Sequence, residues 1–574
     1  MLINKSAGSR TLALLTGTVL ALSACATSNG SAGGAVKDPS ARASTSNKTI
    51  TWAHEQEFSA YNPNTADGNS IANTSALNGV LSGFWQFAPD GSLLPNEDFG
   101  TQKKISDSPL TVKYTINEKA TWSDGDPIDC DDFLLAWLAN SGLTGDKGFD
   151  TAQKAGYQDQ NKPVCTAGGR EITVTYRKPY GDWEGLYGPG LVMPAHIVEK
   201  QAGMTKTFVD LASTPSSPEL AKAIAFYNDG WDLNPGQLKK ELMPSSGPYT
   251  IEAWAAGQSL TLVANPRWWG EPPLTAKIVI RYIGGPQQAQ ALQNGEIQAM
   301  DPQPQVDIVK QLKAMGNSIR YSTHDQYTFE HLDFNFAGQF KDKALREAFT
   351  KCVPRQQIVD NLVKPQNPKA KVFQSRFIYP FQPAYSDFEN SVGGEKYLTA
   401  DIPGAKQLLA GRKPAVRIGW RKDPAQLNKR RADTIALLQA SCGQAGFTVL
   451  DSGTPTFFDT EYPSGNFDVA MFAWSGSPLL GDNGDIYVTG GGQNHIKYSN
   501  PEVDKLLGQA ISELDKGKRN EVIKKVDTIL WTDLVTIPLY AFPALFASSK
   551  DVSGLEYNAT QAELTWNVAR WARA

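Results

Sequence analysis

An apolar segment at the N-terminus constrains where this chain folds. Lys5 and Arg10 precede a run of apolar and small residues from Leu12 to Ala24. This order of charged and then apolar residues is typical of an export signal, and about 13 residues are too few for a membrane span, which needs about 20. We therefore expect residues 1–24 to be a signal peptide and the rest of the chain to fold outside the cytoplasm.

Cys25 follows the apolar run directly, in the stretch Leu22-Ser23-Ala24-Cys25. This stretch resembles the lipobox of bacterial lipoproteins, in which the signal is cut before a cysteine that carries diacylglycerol. The next residues are mostly Ala, Gly, Ser and Thr, a composition that buries too little apolar surface to fold. The resemblance implies that Cys25 is lipidated and that residues 25–48 form a flexible tether at the outer face of the cell membrane.

The composition excludes several classes of function. The formal net charge is −4, with no basic stripe of the kind that nucleic-acid partners require. The chain contains no Gly-x-x-x-x-Gly-Lys loop, no Gly-x-Ser-x-Gly elbow and no His-Glu-x-x-His motif, so we expect no enzymatic activity. A hydrolase that uses Asp124 and Asp126 is disfavoured because both acids lie in a tight turn before a helix. Acids beside His54, His324 and His331 lack the spacing of a metal site, and we expect no metal or cofactor.

Short β-rich segments alternate with amphipathic helices after Thr49, which indicates an α/β fold. Asp129 is placed to cap a helix whose first turn carries Asp131 and Asp132. Residues 255–258 separate two alternating strands and predict a hairpin. Asn500, followed by a proline at the first helical position, predicts another helix start.

Several segments in this order resemble the family 5 extracellular solute-binding proteins, the peptide and nickel receptors of ABC importers. The first is "ATWSDGDPIDCDDFLLAW" from Ala120, in which Cys130 replaces the usual alanine. The second is "SSGPYTIEAWAAGQSLTLVANPRWW" from Ser245. The segment 332–362 and the C-terminal segment 498–540 continue the match, although 332–362 lacks the family's usual proline.

The resemblance implies a two-lobed clamp of the periplasmic-binding-protein type (class II, cluster C) with an inserted third domain. Ligand would bind between lobes that close by a hinge motion. The implied boundaries are residues 49–80, 241–302 and 538–574 for lobe I, 81–240 for the inserted domain and 303–537 for lobe II. The four cysteines beyond Cys25 allow three pairings. We favour Cys130 with Cys165 and Cys352 with Cys442, since each pair then falls within one of these domains.

The resemblance also implies where ligand binds. In peptide-binding relatives, a lobe II segment after an apolar strand carries an aspartate that pairs with the α-ammonium of the ligand. Asp482 is the first candidate and Asp485 the alternative, while an Asp-Asn-Gly turn with solvated acids would explain the same residues. An early segment, 53–64, resembles the cleft-lining segment of the family. The predicted ligand-binding residues are Phe58, Tyr61, Asn62, Trp474, Ser475, Asp482, Asn483 and Asp485.

The function implied by the resemblance is capture of an oligopeptide or similar solute and its delivery to an ABC permease in the membrane. We expect a lipid-anchored monomer without a nucleic-acid partner. The alternative is a lipoprotein of the same fold with an accessory role in the synthesis of cell-envelope glycolipids, because some actinobacterial lipoproteins of this fold resemble the "FAWSGSP" segment.

Overall fold

The computed structural model describes residues 46–422, 429–483 and 485–574, except the side chains of Asp146 and Asp482. The predicted signal segment, Cys25 and the tether up to residue 45 lie outside the described residues. Among the described residues, no helix has the length and apolar character that a membrane span requires.

The strands form one large sheet and three small ones. In chain order they are β1 (Thr49–His54), β2 (Trp85–Phe87), β3 (Leu93–Pro95), β4 (Gly100–Asp107), β5 (Leu110–Ile116), β6 (Glu171–Thr175), β7 (Tyr249–Ala255), β8 (Ser259–Ala264), β9 (Lys277–Tyr282), β10 (Ala299–Met300), β11 (Ile319–Phe334), β12 (Ala415–Gly419), β13 (Thr448–Asp451), β14 (Val469–Ser475), β15 (Thr536–Ser549), β16 (Val552–Ser553) and β17 (Ala572–Arg573).

The α-helices alternate with these strands, as the sequence predicts. They are α1 (Ile71–Leu77), α2 (Cys130–Asn140), α3 (Ala195–Ala202), α4 (Phe208–Leu211), α5 (Pro218–Asp229), α6 (Gly285–Gln293), α7 (Val306–Met315), α8 (Lys343–Cys352), α9 (Arg355–Ile358), α10 (Ser386–Glu389), α11 (Ile402–Leu409), α12 (Lys429–Ala445), α13 (Tyr462–Ser464), α14 (Pro501–Ser512) and α15 (Lys516–Asp533).

The large sheet has the strand order β13-β12-β14-β11-β15-β10-β1-β9-β8-β7. Its two central strands, β11 and β15, are antiparallel and pair in two stretches with a register shift between Asp325 and Phe329. Before the shift, β11 pairs with 543–549, and after it with 536–541. The two strands therefore carry the chain from one half of the sheet to the other.

Two large hydrophobic clusters meet at this crossing, and the first also takes in Phe373, Tyr379 and Tyr385 from beyond it. The first includes Ile50, Trp52 and Leu564, and the second includes Leu332 and Val526. We call residues 46–325 and 543–574 the first lobe, and residues 329–541 the second lobe. This division agrees with the two-lobed clamp that the sequence predicts.

The crossing lies later in the chain than the predicted start of lobe II at residue 303. Helix α7 follows that position, and it buries Ile308 and Leu312 in a cluster with Ala53 and Met300 of the first lobe. Burial of this apolar helix face keeps residues 306–315 with the first lobe. The chain then enters the second lobe within β11.

The segment predicted as an inserted domain, 81–240, contains the three-stranded sheet β4-β5-β6 and helices α2 to α5. Helix α2 begins with a capping box, in which Asp129 accepts from the Asp131 amide and the Asp132 carboxylate accepts from the Asp129 amide. The prediction that these acids cap a helix is confirmed. The buried side chains of the segment join the first-lobe cluster, and we use "inserted domain" below only as a label for residues 81–240 of the first lobe.

Two disulfides connect the pairs that were favoured on the basis of the domain boundaries. Cys130, the first residue of α2, pairs with Cys165, and Cys352 at the end of α8 pairs with Cys442 in α12. Both predicted pairings are confirmed.

Candidate binding cavity

A cavity of about 670 Å³ lies between the two lobes. Three parts of the chain form its walls: the start of the first lobe with its C-terminal segment, the inserted domain, and the end of β14 with the loop that follows. The lining residues include Pro63, Asn64, Asn69, Thr74, Asn78, Trp85 and Phe87; Gln153, Lys154, Gln158, Asp159, Tyr180 and Leu191; Ser475, Ser477, Leu479, Asn483, Asp485, Gln493 and Ile511; and Thr560, Gln561 and Trp566.

The second-lobe wall is a loop that we call the cavity loop, residues 476–483. Its turn is held by Asn483, whose side-chain amide donates to the carbonyls of Ser477 (3.1 Å) and Leu479 (3.4 Å). Gly476 permits close packing at the start of the loop, because a Cβ there would lie 2.6 Å from the Tyr379 hydroxyl oxygen. The loop therefore has an ordered conformation at the end of a buried strand.

The inserted domain supplies another part of the wall through residues 152–159 and 189–191. Gly156 adopts a positive φ of 81°, which begins the short 3-10 turn Tyr157–Asp159. Asn64 donates its side-chain amide to the Gly190 carbonyl at 2.6 Å and so fixes the second of these segments to the first lobe.

Aromatic side chains supply the apolar part of the lining. Trp85 contacts Phe87 with ring centroids 4.7 Å apart and donates its indole N–H to the Leu186 carbonyl at 2.8 Å. Trp566 donates to the Glu556 carbonyl at 2.9 Å. Both indoles are thus held by backbone carbonyls and present ring surface to the cavity.

Among the residues that the structure describes, few charged groups line the cavity. Asp159 and Asp485 are half-buried, and Lys154 is exposed. None of the three forms an ion pair with another residue that the structure describes. Most of the polar lining is uncharged, supplied by Asn, Gln, Ser and Thr side chains.

A group of buried acids lies at the C-terminal lining segment. Burial raises the pKa of Glu563 well above its usual value, and the carboxylates of Asp301 and Glu55 raise it further. Burial also raises the pKa of Asp301, although its carboxylate accepts from the Trp52 indole N–H at 2.7 Å. The described residues contain no group of three His, Cys, Asp or Glu side chains arranged to hold a metal ion.

The comparisons with known proteins agree with this architecture. Residues 95–494 match the family of Bacterial extracellular solute-binding proteins, family 5 Middle. The chain belongs to this family. It is also 30% identical over 544 residues to an uncharacterized lipoprotein of Mycobacterium tuberculosis, covering 92% of this chain and 93% of the relative.

Other relatives and solved structures are named for the ligands that they bind. The oligopeptide-binding protein OppA of Mycobacterium bovis is 26% identical over 502 residues, covering 84% of this chain and 78% of the relative. Among solved structures, the periplasmic EDTA-binding protein EppA matches with a TM-score of 0.80 at 23% identity, covering 92% and 97% of the two chains. The oligopeptide-binding protein AppA of Bacillus subtilis, in complex with a nonapeptide, matches with a TM-score of 0.69 at 18% identity, covering 92% and 99%. The structural matches show the two-lobed family 5 fold.

The residues predicted from the family 5 resemblance divide into two groups. Ser475, Asn483 and Asp485 line the cavity. Trp474 precedes them and packs parallel to His331, with ring centroids 6.1 Å apart. The side chain of Asp482 lies outside the described residues.

Phe58, Tyr61 and Asn62 lie in the core of the first lobe and not among the lining residues. The Tyr61 hydroxyl donates to the Pro244 carbonyl, and the Asn62 side chain donates to the Tyr227 carbonyl at 2.9 Å. Their polar atoms therefore serve the fold. The predicted cleft segment 53–64 reaches the cavity only at its end, through Pro63 and Asn64.

The cavity wall from the inserted domain is not predicted from the sequence. Residues 150–163 are polar, contain one glycine and show neither helical nor strand periodicity. A long irregular loop inside a compact domain often carries function, and this was the available signal. Thr560, Gln561 and Trp566 carried no signal of their own.

Proposed function

We propose that this protein is the lipid-anchored substrate-binding protein of an ABC importer, which captures an oligopeptide or similar solute between its lobes and delivers it to the permease. The observation that carries the proposal is the cavity between the lobes. Its volume of about 670 Å³ falls in the range of ligand sites, which is roughly 300–1,000 Å³. Family 5 membership supports the same role.

A peptide fits the chemistry of the lining. Uncharged amide and hydroxyl side chains can donate to and accept from a peptide backbone without selecting particular side chains. Trp85, Phe87 and Trp566 offer apolar surface for ligand side chains. The Asp485 carboxylate is available to accept a charge-assisted hydrogen bond from an α-ammonium group. The family 5 relatives named for oligopeptides point to the same ligand class.

The proposed anchor is lipid on Cys25, followed by a tether that ends where the described residues begin. Ser46 accepts a hydrogen bond from the Ala276 amide at 3.0 Å, so the chain enters the first lobe beside β9. A tether of about twenty residues would let a monomer meet both solute and permease while the lipid keeps it at the outer face of the membrane.

Native mass spectrometry of the full chain, purified without denaturant, tests the ligand. We expect bound peptides of several sequences, released on unfolding. After their removal, added peptide should change the tryptophan fluorescence, because Trp85 and Trp566 line the cavity. A folded protein that carries no peptide and shows no fluorescence change with a random hexapeptide library would contradict the proposal.

A further inference from the structure

Residues 180–185 of the inserted domain contact the second lobe through a nearly buried ion pair. The Asp182 carboxylate lies 2.5 Å from the Arg519 guanidinium of α15, and the two side chains are only 6% and 14% exposed. The other oxygen of Asp182 accepts from the backbone N–H of Gly481 in the cavity loop at 3.1 Å. One carboxylate thus binds two separate parts of the second lobe.

Further contacts cross the same interface. The Gly181 amide donates to the Ile511 carbonyl at 2.7 Å, and Lys516 pairs with Glu184 at 2.9 Å. The backbones also meet closely, because a Cβ on Gly481 would lie 2.2 Å from the Tyr180 hydroxyl oxygen. A side chain on Gly481 would therefore clash with the inserted domain.

The Asp182 side chain has no competing local role among the described residues. It precedes the 3-10 turn Trp183–Gly185 without forming a side-chain cap there. Both of its side-chain partners lie in the second lobe. Separation of the lobes would break these contacts and return both charges to water, whereas closure restores them.

We propose that Asp182 and Arg519 form a clasp that holds the two lobes together, and that Asp182 positions the cavity loop through Gly481. The proposal rests on the proposed function in one respect: closure around a solute gives the clasp its role. Tyr180, Leu479, Gly481 and Ile511 belong both to the cavity lining and to this interface or its immediate neighbours. The strength of the clasp therefore sets how tightly solute is retained.

Amide hydrogen exchange of Gly181 measures the clasp without any ligand, because its N–H donates across the interface. The full chain is unfolded in urea with its disulfides intact and refolded, so that no ligand is carried over. Loss of one partner from a buried, hydrogen-bonded charge pair weakens an interface by at least about tenfold, which is about 1.4 kcal/mol. We expect Arg519→Gln and Asp182→Asn to accelerate Gly181 exchange at least about tenfold.

The variants separate the two parts of the proposal. Asn at 182 keeps an oxygen that can accept from Gly481, whereas Asp182→Ala removes it. We therefore expect faster exchange of the Gly481 amide in Asp182→Ala than in Asp182→Asn. The double variant Asp182→Arg with Arg519→Asp should recover part of the Gly181 protection that either single reversal loses.

The matched control is Arg412→Gln, which breaks a 2.7 Å ion pair with Asp342 inside the second lobe. It should leave Gly181 exchange unchanged. An unchanged melting temperature in the 182 and 519 variants shows that they remain folded. Wild-type exchange at Gly181 in both Arg519→Gln and Asp182→Ala would overturn the clasp.

A second measurement keeps the clasp separate from the solute-binding role. The as-purified variants are compared with wild type for the amount of co-purified peptide, and a weaker clasp should lower it. If wild type carries no peptide and shows no fluorescence change with the hexapeptide library, the proposed function fails, while the exchange result for the ligand-free protein still decides the clasp.

Discussion

The disulfide between Cys130 and Cys165 makes the sharpest quantitative prediction. It closes a loop of sequence separation 35 that contains the cavity wall at residues 152–159. In the chain-entropy description, a cross-link that closes a loop of this length reduces the conformational entropy of the unfolded state. This loss raises the free energy of unfolding by about 3.8 kcal/mol. We expect replacement of both cysteines by alanine to lower the free energy of unfolding of the first lobe by about that amount.

The second disulfide provides the matched control. Cys352 and Cys442 have a sequence separation of 90, for which the same relation gives about 4.6 kcal/mol. Both of its cysteines lie in the second lobe, in helices that contribute no residue to the cavity lining. The two double variants should therefore be similarly destabilised, and only the Cys130/Cys165 variant should lose protection of the amides in the cavity wall.

Urea unfolding followed by tryptophan fluorescence gives the free energies, and hydrogen exchange of residues 152–159 gives the local effect. Reduction of both disulfides in the wild-type protein should give the combined loss of stability of the two double variants. Equal exchange of the cavity wall in the two double variants would refute the idea that the first disulfide braces the binding site. A loss below about 1 kcal/mol in the first variant would refute the entropic estimate.

Four further predictions concern stability. Asp527→Asn should cost about 3–5 kcal/mol in a urea titration, because it leaves the Arg376 guanidinium, 2.6 Å away, buried without a counter-charge; both side chains are 0% exposed. The exposed ion pair between Lys310 and Asp307 should cost under about 1 kcal/mol when Lys310→Ala breaks it in the same assay. Gly443→Ala should raise the free energy of unfolding by about 0.5–1 kcal/mol, since the residue is exposed inside α12 and a Cβ there meets nothing within 4 Å. Because burial raises the pKa of Glu563, the folded state binds protons more tightly than the unfolded state, and stability should fall as the pH rises above the unfolded value of 4.5. Melting temperatures between pH 5 and 8 should show this slope in wild type and a flatter one in Glu563→Gln.

Local features of the fold could be predicted from sequence because their causes are local. The cap at Asp129, the hairpin at 255–258 and the start of α14 after Asn500 each depend on residues within one turn. The passage of the chain from one lobe to the other depends on the pairing of β11 with β15, which lies about 200 residues later in the sequence. No short pattern specifies such a pairing, so the point at which the chain passes between lobes cannot be derived from the sequence, and the boundary at 303 stays a prediction.

The candidate site shows the same limit. Ser475, Asn483 and Asp485 could be placed at the cavity because ligand sites lie at the ends of buried strands in α/β sheets. Phe58 and Tyr61 have the side chains of a binding segment, but the direction of each side chain depends on packing against distant elements. Phe58 packs against Trp254, with ring centroids 5.6 Å apart.

The composition of the cavity indicates how its affinity is built. Its lining holds many uncharged polar groups and few charges, so a ligand exchanges several hydrogen bonds with water for bonds of similar strength. Each such bond contributes about 0.5–1.5 kcal/mol, which predicts that loss of one uncharged polar side chain of the lining weakens binding about tenfold at most. Closure of the lobes acts on all of these contacts at once. Substitutions at Asp182 or Arg519, which need not touch the ligand, should therefore weaken retention as much as a substitution in the lining.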